Sequence, residues 1–125
     1  MNLNQVTVFS RDVYASVEFY RKLGLKLIVD SAPRYVRFEC PDGGATFSVH
    51  HTENPVAPET IIYFECENLD TTVERLKNVG LEFESDPTQQ TWLWHESYLR
   101  DPSGNRICLY CAGENRQNPP WRVKS

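Results

Sequence analysis

Long apolar runs and dense clusters of positive charge are both missing from this 125-residue chain. No stretch approaches the roughly 18 consecutive apolar residues of a membrane-spanning helix, so we expect no membrane partner. Lysine and arginine never occur more than twice in a row and the formal net charge is -4, which argues against a nucleic-acid partner. The opening MNLNQVTV lacks the basic and apolar segments of a secretory signal, so we expect a cytoplasmic protein.

The chain has only four cysteines, too few for a disulfide-dense scaffold, at positions 40, 66, 108 and 111. The missing export signal favours free thiols over a disulfide framework. Cys108 and Cys111 form a C-x-x-C pair, but residues three apart in a strand point to opposite faces, so we expect no zinc site there. The composition, 40% hydrophobic and 24% charged, is that of a globular protein, and the length predicts one domain over residues 1–125.

Two segments of the chain repeat each other without a gap, because residues 6–30 align on residues 62–86. In both copies apolar residues recur with helical spacing. They are Val13, Val17 and Tyr20 in the first copy and Leu69, Val73 and Leu76 in the second. Asp12 and Asn68 precede these runs as N-caps, and Gly24 and Gly80 follow them at positions suited to left-handed backbone. The repeat therefore predicts two amphipathic helices.

Short β-rich runs surround each predicted helix. They are VTVF and LKLIV in the first copy, and IIYFEC and LEFES in the second. Two more strand pairs follow around Pro/Gly turns, in RYVRFEC-PDGG-ATFSVHH and WLWHESYLR-DPSGN-RICLYC. Each half is thus a βαβββ module. We predict module 1 at about residues 1–51, a linker at 52–60, module 2 at about 61–111 and a tail at 112–125.

The predicted fold is α+β, with the two tandem βαβββ modules forming a cupped, barrel-like mixed sheet and the helices outside. Since one helix covers one face of each sheet, the other face should line a concavity. Strand alternation assigns residues to that concave face. They are Gln5, Thr7, Phe9, Tyr35, Arg37, Glu39, Thr46, Ser48 and His50 in module 1, and Tyr63, Glu65, Trp92, Trp94, Glu96, Tyr98, Arg100, Arg106, Cys108 and Tyr110 in module 2. The apolar residues that alternate with them should pack on the helices.

The arrangement resembles the vicinal oxygen chelate superfamily, which includes lactoylglutathione lyase, extradiol ring-cleaving dioxygenases, and bleomycin and fosfomycin resistance proteins. The resemblance covers about residues 3–111. It rests on VTVFSRDVYASVEFYRKLGLKL, on ECENLDTTVERLKNVGLEFESDP and above all on LRDPSGNRICLY, which is similar to the family's D-P-x-G-N-x-I-x-L hairpin. The resemblance implies the fold, whereas one fold hosts many chemistries and the activity must be argued from the site.

The resemblance also implies where a metal would lie. Metalloenzymes of the superfamily carry their ligands at positions that correspond to Gln5, Ser48, Ile61 and Cys108. Gln5 matches, since glutamine replaces histidine in some lactoylglutathione lyases, but isoleucine has no donor atom, a neutral serine hydroxyl is a poor ligand, and cysteine replaces glutamate. A stable divalent site needs three or four good donors, so we expect no metal cofactor. The alternative is one divalent metal in a rearranged site made of Gln5, His50 and Glu96.

What remains on the concave face suits a small organic ligand, because aromatic rings offer flat apolar area and arginine captures carboxylates or phosphates. The predicted ligand-binding residues are Gln5, Arg37, His50, Tyr63, Trp94, Tyr98, Arg100 and Cys108. For acid/base catalysis the candidates are Glu96 and Glu65. A carboxylate buried against tryptophan rings would have its pKa raised toward the working pH, as a general acid or base requires. Cys108 is read as a buried, inert thiol in preference to a nucleophile.

Three functions remain open from the sequence. The favoured one is a metal-free protein, similar to the antibiotic-sequestering members, that binds a small, partly aromatic or anionic ligand. The others are a metal-dependent lyase, isomerase or dioxygenase with the rearranged site, and a metal-free acid/base enzyme. Relatives of this fold commonly form homodimers, so we expect a homodimer. Trp121, behind two prolines, would anchor the tail on its own domain or on a second subunit.

Overall fold

Two helices and eight strands make up the part of the chain that the structure describes. The computed structural model describes residues 3–54, 60–122 and 124. The strands are β1 (Gln5–Ser10), β2 (Lys26–Ser31), β3 (Tyr35–Glu39), β4 (Thr46–His51), β5 (Ile61–Glu65), β6 (Thr88–Gln89), β7 (His95–Arg100) and β8 (Arg106–Cys111), and the helices are α1 (Val13–Leu23) and α2 (Leu69–Asn78). A short 3-10 helix covers Gly113–Arg116. Among these residues, neither helix is long and apolar enough to reach across a bilayer.

The strands form two four-stranded mixed sheets, in the orders β1-β4-β3-β2 and β5-β8-β7-β6. In each sheet the first strand runs parallel to the last one, so β1 pairs with β4 and β5 pairs with β8. The pairs β2-β3, β3-β4 and β6-β7 are antiparallel. The predicted α+β fold of two βαβββ modules is therefore confirmed.

The chain divides into two compact units. Unit 1 comprises Met1–Thr60 and Arg100–Asn105, and unit 2 comprises Ile61–Leu99 and Arg106–Ser125. The predicted module boundaries stay a prediction. Residues 55–59 of the predicted linker lie outside the described residues.

The helices begin and end where the repeat predicts. The carboxylate of Asp12 accepts a hydrogen bond from the Ala15 amide at 3.1 Å, and the side chain of Asn68 accepts one from the Thr71 amide at 3.2 Å. A capping contact of this kind contributes about 1 kcal/mol. Gly24 and Gly80 follow the helices with φ values of 114° and 97°, which only glycine adopts without steric cost. Both caps and both glycine positions are thus confirmed.

The core of each unit lies between its helix and the apolar face of its sheet. In unit 1, α1 packs on β2, β3 and β4. The buried strand residues there are Val8, Val36, Phe38, Phe47 and Val49. In unit 2, α2 packs on β8, and Leu99, Ile107 and Leu109 are buried. Each such side chain contributes about 1.5 to 3 kcal/mol by leaving water. The strand alternation therefore places the core on the predicted face.

The Asp-Pro-Ser-Gly-Asn turn is held in unit 1 by a buried hydrogen-bond network around Asp101. One carboxylate oxygen accepts from the Tyr20 hydroxyl at 2.7 Å and from the Asn105 side chain at 2.8 Å. The other accepts from the amides of Ser103 and Asn105. The Asn105 side chain also donates to the Phe9 carbonyl at 2.9 Å. The turn motif thus has a structural role that involves the helix α1 and the end of β1.

One predicted strand of module 2 is displaced along the chain. The segment LEFES was expected to be a strand. In this segment only Phe83 pairs with another strand, through a single isolated bridge to Leu99. The edge strand β6 lies further on, at Thr88–Gln89. Between them the Ser85 hydroxyl accepts from the Tyr98 amide at 3.1 Å, where a regular strand would offer a carbonyl. Pro87 has no amide hydrogen to donate. The prediction of a strand at LEFES was wrong for these reasons.

The segment Trp92–Trp94 was expected to begin the next strand, and this prediction was also wrong. The strand β7 starts at His95. Before it, the Leu93 amide donates to the Gln90 carbonyl at 3.1 Å and the Gln90 amide donates to the Trp94 carbonyl at 2.8 Å, which closes a tight loop. Leu93 has a φ of 68°, which is rare for a residue with a side chain. The two tryptophans therefore project from a loop and do not share a strand face.

Candidate functional site

The sheet face of unit 1 opposite its core carries a continuous chain of hydrogen-bonded polar side chains, which we call the polar chain. Its members are Arg37, Tyr35, Ser48, Gln5 and Thr46. Arg37 Nε donates to the Tyr35 hydroxyl at 2.8 Å, the hydroxyls of Tyr35 and Ser48 share a hydrogen bond of 2.7 Å, and Gln5 Nε2 donates to Ser48 Oγ at 2.9 Å. Thr46 Oγ1 donates to Gln5 Oε1. These residues lie on β1, β3 and β4, where pairing in register brings them together.

The pKa of Tyr35 reflects this position. Burial opposes loss of its proton, but the hydrogen bonds with Ser48 and Arg37 and the positive charge of Arg37 outweigh burial, so the pKa of Tyr35 lies below its usual value of 10.0. His50 lies beside it, with ring centroids 5.8 Å from Tyr35 and 6.0 Å from Phe9. Unit 1 therefore presents a cation, a phenol with a lowered pKa and an imidazole on one face.

The corresponding face of unit 2 carries three aromatic rings in contact, which we call the aromatic cluster. Its members are Tyr63 of β5, Tyr110 of β8 and Trp94 of the loop before β7. Trp94 stacks on Tyr110 with a centroid distance of 4.5 Å and an interplanar angle of 13°. Tyr63 lies edge-on to both, at 6.0 Å from Trp94 and 5.8 Å from Tyr110. Tyr63 is 45% exposed, so the cluster presents aromatic surface to solvent.

Glu96 of β7 is a buried carboxylate that accepts hydrogen bonds from two aromatic residues. It is 2% exposed. Its two oxygens accept from Trp92 Nε1 and from the Tyr98 hydroxyl, each at 3.0 Å. Burial raises the pKa of Tyr98, and Cys108 and the hydrogen bond to Glu96 raise it further, so Tyr98 keeps its proton and stays a donor. The loop that carries Trp92 is thus bonded directly to this carboxylate.

Arginine and glutamate side chains border the aromatic surface of unit 2. The Arg106 guanidinium lies over the Tyr98 ring, 4.2 Å from its centroid, and within 3.9 Å of the Glu84 carboxylate. Glu65 lies 4.0 Å from Arg116 of the 3-10 helix. The geometry of Arg106 is that of a cation–π contact, which contributes about 0.5 to 2 kcal/mol. Charged groups of both signs therefore lie close to the rings.

Cys108 is fully buried in a small cluster with Tyr110 and Ala112, against which Ile61, Trp94 and Tyr98 pack. Burial raises the pKa of the Cys108 thiol to about 12, with a further contribution from the nearby Glu96 charge. A thiol with this pKa is protonated at neutral pH. Since the thiolate is the form that attacks electrophiles and binds metals, the Cys108 environment disfavours both roles.

The four positions at which the superfamily carries metal ligands do not fit a divalent ion. In unit 1, the Gln5 amide and the Ser48 hydroxyl are bonded to each other and to Thr46 and Tyr35. In unit 2, Ile61 has no donor atom, and Cys108 is a buried, protonated thiol. Within residues 3–54, 60–122 and 124, no three His, Cys, Asp or Glu side chains are grouped so that they could hold one ion. This donor set falls short of the three or four good ligands that such an ion needs.

The predicted site residues are distributed over both units. Gln5, Arg37 and His50 lie on one sheet face of unit 1. The unit 2 members are Tyr63, Glu65, Trp94, Glu96, Tyr98 and Cys108. Arg100 belongs to the turn segment of unit 1, where its guanidinium donates to the Gly104 carbonyl at 3.0 Å. Their roles in binding or catalysis stay a prediction.

Several residues that shape these surfaces were placed on the concave face from the sequence but were not chosen as site residues. Tyr35 and Ser48 form the centre of the polar chain, Tyr110 is the ring on which Trp94 stacks, and Trp92 is a hydrogen-bond donor to Glu96. They alternate along the sequence in step with the chosen residues, and this shared pattern was the sequence signal that could have identified them. Strand register brings Tyr35 and Ser48 together, and the loop before β7 brings Trp92 to Glu96 and Trp94 to Tyr110; the sequence states neither.

Comparison with known proteins agrees with the fold. The family model described as Glyoxalase/Bleomycin resistance protein/Dioxygenase superfamily matches residues 2–109. A search of curated proteins finds no significant match. Among solved structures, the chain is similar to a glyoxalase/bleomycin resistance protein/dioxygenase from Nocardioides, with 23% identity, a TM-score of 0.79, and coverage of 99% of this chain and 90% of that chain.

Two further solved structures are similar in fold. Lactoylglutathione lyase from Agrobacterium tumefaciens has 18% identity and a TM-score of 0.73, with 87% of this chain and 92% of that chain covered. A bleomycin-binding protein complexed with bleomycin has 20% identity and a TM-score of 0.72, with 89% of this chain and 98% of that chain covered. The tandem βαβββ modules, the turn motif and the family match over most of its length establish that the chain belongs to the glyoxalase/bleomycin resistance protein/dioxygenase superfamily.

Proposed function

We propose that the protein binds a small organic ligand that is partly aromatic or anionic, and that it does so without the usual metal site of the superfamily. The observation that carries the proposal is the aromatic cluster, in which Trp94 and Tyr110 are stacked and Tyr63 stays 45% exposed. Rings held rigidly in this way offer contact area at little entropic cost. A structural relative is complexed with bleomycin, which supports a binding role.

The polar chain supports the anionic part of the proposal. Arg37 is fixed by its hydrogen bond to Tyr35, and a fixed guanidinium can take a carboxylate or phosphate through paired hydrogen bonds. Gln5 and His50 lie on the same face and offer an amide and an imidazole. These groups make unit 1 suitable for a ligand's charged or polar portion.

Titration of tryptophan fluorescence tests the binding proposal. The probes are bleomycin and a panel of planar aromatic compounds with and without a carboxylate. We expect quenching and thermal stabilisation by at least one probe, and a loss of affinity of about tenfold in Tyr63→Ala, as is typical when a central aromatic contact is removed. Tyr14→Ala is the matched control, since Tyr14 is 62% exposed on α1. Equal weakening in both variants, or no response to any probe, would contradict the proposal.

Metal analysis tests the proposal that the protein lacks the usual metal site of the superfamily. Elemental analysis of the purified protein should show no stoichiometric divalent metal, and the melting temperature should not rise across a series of divalent metals. A ligand that binds the folded state at a hundred times its Kd stabilises it by about 2.7 kcal/mol, which is readily measured. Stoichiometric metal would instead favour a lyase, isomerase or dioxygenase with a site rearranged around Gln5, His50 and Glu96.

Glu96 favours one second candidate function, a metal-free acid/base enzyme. A buried carboxylate that accepts from Trp92 and Tyr98 is oriented, shielded from water and able to take or give a proton. Glu65 is more exposed and lies close to Arg116, so it is the weaker candidate. Any probe that binds should be incubated at high protein concentration. Chemical change of the probe that is lost in Glu96→Gln would replace the binding proposal with this one.

We also propose that the protein is a cytoplasmic homodimer.

A further inference from the structure

Cys66 and Cys111 lie opposite each other at the ends of two neighbouring strands of unit 2. The last pair of the parallel ladder between β5 and β8 is Glu65 with Tyr110. The Cys66 amide donates to the Tyr110 carbonyl at 2.9 Å. The same register therefore continues for one more residue and places Cys66 opposite Cys111. Residues at matched positions of adjacent strands project to the same face. The two thiols therefore leave the sheet on the same side, the side of α2.

The contacts of the two sulfur atoms confirm that they are neighbours. Cys66 Sγ lies 3.7 Å from the Tyr110 carbonyl oxygen, and Cys111 Sγ lies 3.7 Å from the Glu67 carbonyl oxygen. Each sulfur thus touches the residue adjacent to the other cysteine. Neighbouring strands are about 4.8 Å apart, within the roughly 4.4 to 6.8 Å between Cα atoms that a disulfide spans. Both cysteines are free and partly exposed, whereas Cys108 is buried.

We propose that Cys66 and Cys111 form a reversible disulfide and that this strand end is a redox modification site. The oxidant class is a peroxide. One thiol loses its proton, and the thiolate attacks a peroxide oxygen, so that an S–O bond forms, the O–O bond breaks and the departing hydroxide takes that proton to become water. The second thiolate attacks the sulfenic sulfur, the S–S bond forms, and the departing hydroxide takes a proton to become water. Two thiols and one hydrogen peroxide give one disulfide and two waters, as two electrons pass from sulfur to oxygen.

The surroundings explain why the bond would be reversible and what it would change. Directly opposed positions on parallel strands hold the Cβ atoms near the strand spacing of about 4.8 Å, beyond the usual disulfide range of roughly 3.5 to 4.5 Å. The bond therefore draws the strand ends together, and strained disulfides are the readily reduced ones. It also closes a loop from residue 66 to residue 111. Because strain in the bond offsets part of the stabilisation from loop closure, we expect the oxidised protein to melt only slightly above the reduced protein.

Intact mass after mild treatment with hydrogen peroxide tests the proposal. The test protein is Cys40→Ser/Cys108→Ala, which keeps only the proposed pair. It should lose the mass of two hydrogens, lose both free thiols and regain them with dithiothreitol. The matched control, Cys66→Ser/Cys111→Ser, keeps Cys40 and Cys108. It should lose neither the mass of two hydrogens nor its free thiols. Peptide mapping of the wild-type protein with a glutamate-specific protease and chymotrypsin provides a second measurement that needs no substitution, because these enzymes separate all four cysteines.

The outcomes are distinct. A linked Cys66–Cys111 peptide in the oxidised wild-type protein and the loss of two hydrogens in the test protein alone would support the site. Mass gains of whole oxygen atoms without cross-linking, or an equal loss of hydrogens in the control, would overturn it. Linkage only between two copies of the chain, seen on a non-reducing gel, would also overturn it.

Discussion

At the scale of single residues, Tyr35 is a phenol whose pKa the fold lowers. If its hydroxyl loses a proton, Ser48 and Arg37 can both donate to the resulting oxygen, while Gln5 continues to donate to Ser48. These contacts favour the phenolate more than burial disfavours it, so the pKa of Tyr35 lies below 10.0. We therefore expect one tyrosine to ionise below the usual range.

The absorbance of tyrosinate, followed through an alkaline titration, checks this prediction. The difference between the wild-type protein and Tyr35→Phe isolates the Tyr35 titration. Ser48→Ala and Arg37→Gln should each move that titration to higher pH, because each removes a group that stabilises the phenolate. Arg34→Gln, which removes a neighbouring positive charge, is the control and should have the smaller effect. A wild-type titration that begins only above pH 10 would contradict the prediction.

At the scale of elements, one buried hydroxyl in α1 contributes to the network that holds the Asp-Pro-Ser-Gly-Asn turn. Tyr20 is fully buried and donates to Asp101 at 2.7 Å. Burial raises the pKa of Tyr20, and the Asp101 charge raises it further, so the folded protein keeps this proton well above pH 10. The unfolded chain releases it near pH 10. Stability from this group is therefore complete below about pH 10 and is lost as pH rises above that value.

Tyr20→Phe tests this role of the turn contact. Since the variant leaves a buried carboxylate with one donor fewer, we expect the free energy of unfolding at neutral pH to fall by about 1 to 3 kcal/mol. We also expect stability to fall less steeply above pH 10 than in the wild-type protein. Urea unfolding at neutral and alkaline pH measures both effects, and Tyr14→Phe on the exposed face of α1 is the control. Wild-type stability in Tyr20→Phe would show that the contact is dispensable.

Features fixed by local chemistry were predictable from the sequence, and features fixed by pairing were not. The repeat placed both helices, their caps and their terminal glycines correctly, because caps and amphipathic spacing depend on neighbouring residues alone. The edge strand of module 2 was misplaced, since the Ser85 hydroxyl and Pro87 interrupt a segment whose apolar pattern still resembles a strand. Where a strand pairs is decided together with its partner strand, and the sequence of one strand does not contain that information.

The same limit applies to the candidate site. Strand parity placed Tyr63, Glu96 and Tyr98 on one face, as is consistent with the contacts in unit 2. The hydrogen bond from Trp92 to Glu96 could not be predicted, because it depends on the loop that Leu93 closes with a positive φ. The stacking of Trp94 on Tyr110 likewise follows from this loop. Which rings meet is therefore decided by backbone geometry outside the strands.

At the scale of the whole molecule, the tail raises the question of a second subunit. Trp121 follows Pro119 and Pro120 and is 58% exposed, with its large apolar surface still open to water. Prolines restrict the backbone ahead of it, so little conformational entropy is lost if the ring docks on a partner. Tryptophan is also the residue type most enriched among strong interface contacts. These properties make Trp121 a candidate contact in the predicted homodimer.

Light scattering coupled to size-exclusion chromatography tests the homodimer. We expect a mass of twice the 14.5 kDa of the chain, falling toward the monomer value on dilution. Trp121→Ala should weaken association by about tenfold or more, since truncation of a central interface tryptophan commonly costs about 2 kcal/mol. Leu3→Ala is the control, because Leu3 is 89% exposed at the other end of the chain. A monomer at high concentration would refute the dimer, and unchanged association of Trp121→Ala would exclude Trp121 as its anchor.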